Sequence, residues 1–523
     1  MFVRGCVNVI TGDFVDSQTD MIVPGVEPFV LQRCYHKLNA EKGSLGKSWN
    51  LNFDSKLVVE VTDEEMTGTI EHNGGRLSFL NRDPTKPNVM PLNSKYLAKG
   101  VTNTGSGHIS GRTNIKNINM IWRKHAKNWM TWDGARVIKH FSFEEGSKIV
   151  KEVRPAGNRV LYSYEKGKLQ LVKLANSVGN AISSIRFHKA ENLFNATAGL
   201  KKVNYHFKHN QLVLIESSDV PTVAYSYKSA TKKSAGGRKY HFNLIEQKSL
   251  PEGRYLKVEY KKSHRNDDLT LAYRVSQLIE PAGPENASVT TYTFEYLPKH
   301  RTTHVYDALN HKTSYYYDKN DRLQCIDKLT KDGNAYCRDH LYWQGHQLAA
   351  RLIIPLAQWT LAARTYAYDP AGNITMERLY GNLSGKNTIL PEIALSGTGV
   401  ANGCEYYEKR FVYSEDGLNL LLHETDGTYE ISYRYCPGND LLSAKIYRGK
   451  NQTYKREFFE YNGDLALTKH VVDNGTSENQ ADLSSVTQRY ITYYVPKTSF
   501  PVVMAFKSCN LLSVLLVAML YLN

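Results

Sequence analysis

Apolar and polar positions alternate with a period of two along most of this chain. Residues two apart on a strand share one face, so each aromatic-x-aromatic pair writes a single aromatic stripe. Such pairs recur at Tyr162/Tyr164, Tyr205/Phe207, Tyr225/Tyr227, Tyr292/Phe294, Tyr315/Tyr317, Tyr366/Tyr368, Phe411/Tyr413, Tyr433/Tyr435 and Phe459/Tyr461. Several run straight into turn residues: Tyr368 into Asp369-Pro370-Ala371-Gly372-Asn373, Tyr413 into Ser414-Glu415-Asp416-Gly417, and Tyr461 into Asn462-Gly463-Asp464. Tyr296, Tyr317, Trp343 and Tyr368 stand 21, 26 and 25 residues apart, and Tyr413, Tyr435 and Tyr461 follow at 22 and 26. That period fits two strands of about eight residues with their turns. The pattern predicts an all-β repetitive hairpin architecture, with short helix-compatible stretches only at Ala350–Ala363 and Leu390–Ala401.

The same pattern divides the chain. Residues 1–60 read as a small β-rich cap that closes the edge of the first repeat. In it Phe29, Leu31, Arg33 and Tyr35 share one strand face, and Val30, Gln32 and Cys34 share the other. A Pro24-Gly25 turn precedes that strand. Residues 61–160 contain short strands and a polar loop near 93–117. Residues 161–497 hold the hairpin repeats almost without a break. Residues 498–523 turn abruptly apolar. The near-continuous part, Leu511 to Leu522, is shorter than the roughly 20 residues of a membrane helix. It reads either as a membrane anchor or as the product of a frameshift. In the second case the strand around Thr487–Val495 would be left as an open, association-prone edge.

Composition sharpens the picture in three ways. Tyrosine outnumbers phenylalanine and tryptophan, 35 against 17 and 6, which suits sheet faces that are half wet. The net charge is +15, but the excess is dispersed. Its densest sites, Lys228–Lys239 and Lys261–Arg265, read as solvated loops and match no motif for specific nucleic-acid binding. The seven cysteines are odd in number and contain no Cys-x-x-Cys, so they form neither a disulfide framework nor a zinc ribbon. The residues after Met1 lack the charged and apolar regions of a signal peptide.

Tyr306-Asp307, Tyr317-Asp318 and Tyr368-Asp369, each followed by a short polar turn and an apolar strand, resemble the repeat of Rhs or YD-repeat proteins. Pro155 to Val172 is a looser copy with Glu165 in place of Asp. Residues 1–60 resemble the opening module of that family, with Val9-x-Thr11-Gly12-Asp13, Leu31-x-Arg33-x-Tyr35 and Gly46-x-x-Trp49 in the expected order. The resemblance implies a sheet of hairpins spiralling into a hollow or partial shell, as in insecticidal toxin complexes and teneurin adhesion proteins. It implies a secreted or cell-surface setting. The implied partners are a toxin domain, a secretion-system component, or a host or competitor surface. The family's self-cleaving, Asp-Pro-Gly-rich plug has no counterpart after Tyr461, and Asp369-Pro370 falls at an ordinary repeat turn.

The structural repeat positions are therefore Tyr306, Asp307, Tyr317, Asp318, Tyr366, Tyr368, Asp369, Gly372, Tyr433, Tyr435 and Tyr461. No catalytic, cofactor or metal residues are assigned. His206 and His209 lie three apart, which on a strand puts them on opposite faces. His304 and His311 read as wall residues, and Asp318, Asp321 and Asp369 as turn caps. The expected function is a structural or encapsulating shell, with Tyr stripes facing inward and no convergent polar pocket. The alternative is a surface module that binds glycans or proteins and is held by the apolar tail.

Overall fold

The computed structural model describes the chain outside residues 24–28, 38–42, 62–65, 73–74, 82–88, 92–118, 124–127, 133–136, 143–147, 155, 234–236, 238, 263–270, 284–286, 346, 356–361, 387–388, 390, 392–402, 417, 450–451, 498–499, 511–512 and 518–523. The Pro24-Gly25 turn, the polar loop at 93–117 and, but for Pro391, the stretch 390–401 lie outside the described residues. Among the described residues the chain is all β apart from short 3-10 turns, such as that at Pro298–His300.

Two layers of organisation are present. Val15–Val23, Phe29–His36 and Trp49–Leu51 form a three-stranded antiparallel sheet, preceded by the pair Phe2–Val3 and Val7–Asn8. From Lys148–Val153 onward, every strand to Ser513–Val517 pairs antiparallel with its successor in one continuous sheet. A bridge from Lys148 to Lys56 brings the sheet's first strand, Ser55–Val61, back against Lys148–Val153. Gln488–Lys497 pairs on both sides, with Leu467–Asp473 and with Phe500–Asn510, so it is not the open edge expected of it. The apolar run after it continues the ladder, because alternating β-formers satisfy their backbone most cheaply by adding strands.

Two other expectations change. Ala350 to Pro355 lies in the strand Gln347–Pro355, and Ala362–Tyr368 is the next strand, so weak helix propensity yields to cross-strand pairing. Lys228 to Lys233 belongs to the strand Val223–Lys233, which pairs with Lys239–Ser249 in one long hairpin. Lysine stems pack along strands while their charges reach water, so charge density alone was a poor sign of a loop.

One hairpin end recurs in detail. Asp369 N–H donates to the Asn373 carbonyl at 3.0 Å, and Gly372 N–H to the Asp369 carbonyl at 3.0 Å. The Asp369 carboxylate accepts the Asn373 N–H at 2.8 Å. This is a type I turn closed by a left-handed residue, here Gly372 at φ 91°. Asp318 repeats it with Asp321 left-handed, and Asn462 with Leu465 left-handed.

A bulge falls at the second aromatic of the pair at Tyr227, Tyr368, Tyr435 and Tyr461, and at the unpaired Tyr260. There the tyrosine hydroxyl donates to a carbonyl of the preceding hairpin. Tyr227 reaches Leu212 O at 2.5 Å, Tyr260 Ile245 O at 2.8 Å, Tyr368 Leu348 O at 2.7 Å, Tyr435 Leu421 O at 2.9 Å and Tyr461 Leu442 O at 2.9 Å. Trp343 does the same with its indole N–H to Leu323 O at 2.7 Å. The accepting residue itself sits at the previous bulge: Ile245 pairs with Tyr227, and Leu442 with Tyr435. Bulges bend and twist a sheet, and these donors fasten their own bends to the preceding hairpin.

Burial pushes the Tyr368 and Tyr461 phenols up to about 12. A raised phenol stabilises the fold below its unfolded value of about 10 and loses that contribution as pH climbs toward the folded value. Tyr368→Phe is expected to cost about 1 kcal/mol in urea unfolding, because the bulge carbonyl loses its donor. The wild-type chain is expected to weaken between pH 10 and about 12, with phenolate absorbance lagging behind that of the unfolded chain.

Candidate functional site

The first fifty-odd residues lie across one face of the sheet and share a continuous core with strands from Val160 to Ile326. The module buries Phe29, Leu31, Arg33 and Tyr35 in that contact. Trp49 packs between Tyr35 and Tyr225 at ring distances of 5.3 and 5.0 Å.

Charges placed inside this apolar contact are answered by the wall. Asp20 and Arg33, both without solvent exposure, form an ion pair. The Tyr205 hydroxyl donates to Asp20 at 2.8 Å, and Arg33 donates to the Tyr225 hydroxyl at 3.1 Å. Tyr225 in turn donates to Asp16 at 2.5 Å, and Lys248 holds the other Asp16 oxygen at 2.9 Å. Burial, with the Asp16 charge beside it, pushes the Tyr225 phenol well up. Asp13 pairs with Lys37, which also reaches the Ala272 carbonyl at 2.5 Å. Tyr35 donates to Asn243 O at 2.6 Å, and Trp49 to the Tyr227 hydroxyl at 2.8 Å.

A shallow, half-open cavity of about 200 Å³ lies at the margin of this contact, lined by Arg4, Cys6, Phe14, Asp16, Lys248 and Leu256 among others. Burial, followed by the Asp16 charge, raises the Cys6 thiol to about 12, which leaves it a poor nucleophile.

The repeat positions fall into two groups. Tyr317, Tyr366, Tyr368, Tyr433, Tyr435 and Tyr461 belong to the aromatic stripes, and Asp318, Asp369 and Gly372 to the loops beside them. Tyr306 differs. Its neighbour Val305 packs in the shared core, so Tyr306 points to the opposite face, where its hydroxyl meets Glu295 at 3.2 Å. Asp307 still accepts the Leu309 and His311 N–H groups at 2.9 and 2.8 Å. His304 meets Ser314 at 2.9 Å. His206 pairs with Glu216 at 2.8 Å, and His209 is left-handed at φ 52° in the adjoining turn, so the two do not converge. No cluster of three or more metal-ligating side chains occurs among the described residues.

Beyond Ile326 the module face continues with mixed aromatic and charged chemistry that is half-exposed. Tyr433 lies under Lys445 at 5.3 Å, and Tyr447 under Lys455 at 4.7 Å. Glu457 accepts from Tyr447 at 2.9 Å and meets His470 at 3.1 Å. The His470 contact first, with Lys455 and Tyr447, holds the Glu457 carboxyl down at about 2. Sequence reasoning missed the Asp16, Asp20, Tyr205, Tyr225 and Lys248 network. The available signal was Arg33, a full charge on an otherwise apolar strand face.

These features define an all-β repeat protein whose amino-terminal module is docked across its own hairpin sheet. The family described as a domain of unknown function, DUF6531, matches residues 5–79, which contain the module. No curated protein matches the sequence. Among solved structures the chain is similar to a TcdB2-TccC3-Cdc42 crystal structure, with TM-score 0.38, 9% identity, and 95% of this chain against 32% of that one. It is similar also to a Photorhabdus luminescens Tc holotoxin pore, with TM-score 0.35, 9% identity, and 92% against 26%. The chain thus spans about a third or less of the toxin-complex chains it matches. A porin-like protein from Bacteroides uniformis matches more weakly, with TM-score 0.17, 10% identity, and 51% against 95%. Likeness at this level does not carry an activity across.

Breaking the buried pair is expected to free the module. Asp20→Asn or Arg33→Met leaves its partner charged and dry, a loss of about 3–5 kcal/mol. Residues 1–55 should become protease-sensitive while the strand signal in circular dichroism persists. In the second half, the Glu457 carboxyl is depressed from 4.5 to about 2, so its stabilisation is complete above pH 4.5 and is lost as pH falls toward 2. Glu457→Gln should flatten the acid limb of the stability curve over that window, read by urea unfolding at successive pH values.

Proposed function

We propose that the chain is a structural wall of the Rhs or YD-repeat type, a shell or part of one related to toxin delivery, with no catalytic site of its own. The observation that carries this reading is the continuity of the module face. One polypeptide unit is already held on that face by tyrosine hydroxyls and buried ion pairs. The same face runs on past Ile326 with tyrosines, cations and carboxylates that remain half-exposed, as at Tyr366, Tyr433 and Tyr447. A packed core would favour aliphatic side chains there; a wall facing water and a guest favours amphipathic ones. The sequence resemblance to YD repeats supports the reading, and its implied guest is a toxin domain.

To test it, a small folded reporter is joined after Asn523 and digested with trypsin. The reading expects the reporter to be cut more slowly than the free reporter. Equal rates, with the wall intact, overturn it. Intact mass should also stay constant on prolonged incubation, whereas defined internal fragments would reveal a peptidase.

The adhesion alternative has one observation in its favour. Tyr429 and Tyr454, 56% and 49% exposed, meet at 6.4 Å, and Tyr447 joins them at 6.3 Å. Saturable glycan binding lost in Tyr454→Ala would favour that reading.

A further inference from the structure

Asn-Gly pairs begin at Asn73, Asn402, Asn462 and Asn474. The last two lie wholly within the described residues, on either side of the strand Leu467–Asp473, and the fold treats them differently. The Asn474 side chain is clamped. Its nitrogen donates to the Thr487 hydroxyl at 2.6 Å, and its oxygen accepts the Thr487 and Gln488 N–H groups at 3.0 Å each. The Gly475 N–H is engaged by Asp473 at 3.1 Å, and Gly475 is buried against the Arg456 guanidinium. At Asn462 only the oxygen is held, by the Asp464 and Ala466 N–H groups at 3.0 and 2.8 Å. Its Nδ2 and the Gly463 N–H have no hydrogen-bond partner among the described residues. Gly463 is exposed, with nothing within 4 Å of the position a Cβ would take.

The two donors on Asn462 Oδ1 face the atom on which negative charge would develop if the side-chain carbonyl were attacked. Glycine puts no side chain in the way of its own nitrogen as the attacking group. We propose that Asn462 is a site of spontaneous deamidation, and that the fold shields Asn474 from the same reaction. The Gly463 nitrogen bonds to Asn462 Cγ, the Cγ–Nδ2 bond breaks, and the Gly463 proton leaves with the side-chain nitrogen as ammonia. Water then opens the cyclic succinimide at either carbonyl, giving aspartate or isoaspartate. Aspartate fits this loop, because Asp318 accepts the Asn320 and Arg322 N–H groups in the same way at 2.8 and 2.9 Å. Isoaspartate does not. Its extra backbone carbon lengthens a loop that Tyr461 tethers to Leu442, and that Asp464 joins to Asn176 Nδ2 at 2.7 Å across 288 residues.

To test this, the full chain is incubated folded at mildly alkaline pH and sampled by brief tryptic digestion. Trypsin places the two sites in separate peptides, Glu457–Lys469 and His470–Arg489, and fragment masses read the amide-to-acid change at each asparagine. In the folded chain Asn462 is expected to convert several-fold faster than Asn474. In urea, where only the similar local sequences remain, the two rates should converge. Equal rates in the folded chain, or a faster Asn474, overturn the proposal. So does an Asn462 that stays intact in the folded chain while the unfolded chain reacts. Asn462→Asp should unfold at the wild-type Tm, whereas aged wild type enriched in isoaspartate should show a second, lower transition. An Asn462→Asp chain that does not fold overturns aspartate as the tolerated product.

Discussion

The hydrogen bond from a tyrosine hydroxyl to the carbonyl at the preceding bulge is the constraint on which the sheet depends. A bulge inserts one residue, turns the strand and disturbs the local ladder. A run of bulged hairpins without tethers would bend by unequal amounts and lose its line. Here several bends are fastened to their predecessors: Leu421 opposite Tyr413 accepts Tyr435, and Leu442 opposite Tyr435 accepts Tyr461. Phenylalanine could fill the same volume but could not make the bond. The tyrosine excess is therefore a repeated structural requirement as well as a response to wet surroundings.

The module depends on a second principle. Its contact with the wall is apolar in bulk yet contains aspartates, an arginine and lysines. A buried ion pair adds little net stability over apolar packing, because desolvation offsets attraction. It does penalise every misplaced arrangement, since a shift by one residue strands a charge. Asp16, Asp20 and Arg33 therefore act as a register for docking, read by Tyr205, Tyr225 and Lys248.

Much of the fold was legible because a period of two is a local property. The aromatic pairs, the Asp-led loops and the shared face of Phe29, Leu31, Arg33 and Tyr35 could all be read residue by residue. The tether was not legible, because a bulge shifts register and decides which tyrosine of a pair reaches back. Tyr306 shows the limit: its Tyr-Asp signature equals that of Tyr368-Asp369, yet it points to the other face. The module's target was hidden for a different reason. Asp16 meets Lys248 and Arg4 meets Glu280, and nothing local in either segment announces a partner at separations of 232 and 276 residues. Lys228 to Lys233 misled because charge was read without strand pairing.

Pairing between successive strands has a consequence for the order in which the molecule can be made. Each hairpin finds its neighbour among the residues that have just left the ribosome, so the wall can grow from its leading end without waiting. The module cannot. Its docking surface extends to Ile326, and until that stretch exists its buried aspartates have no answering hydroxyls or lysines. The module, made before the wall it docks on, is thus among the last parts to settle, and it holds an unsatisfied apolar face while that wall is being made. Docking of the module marks the moment when the first half of the wall is complete.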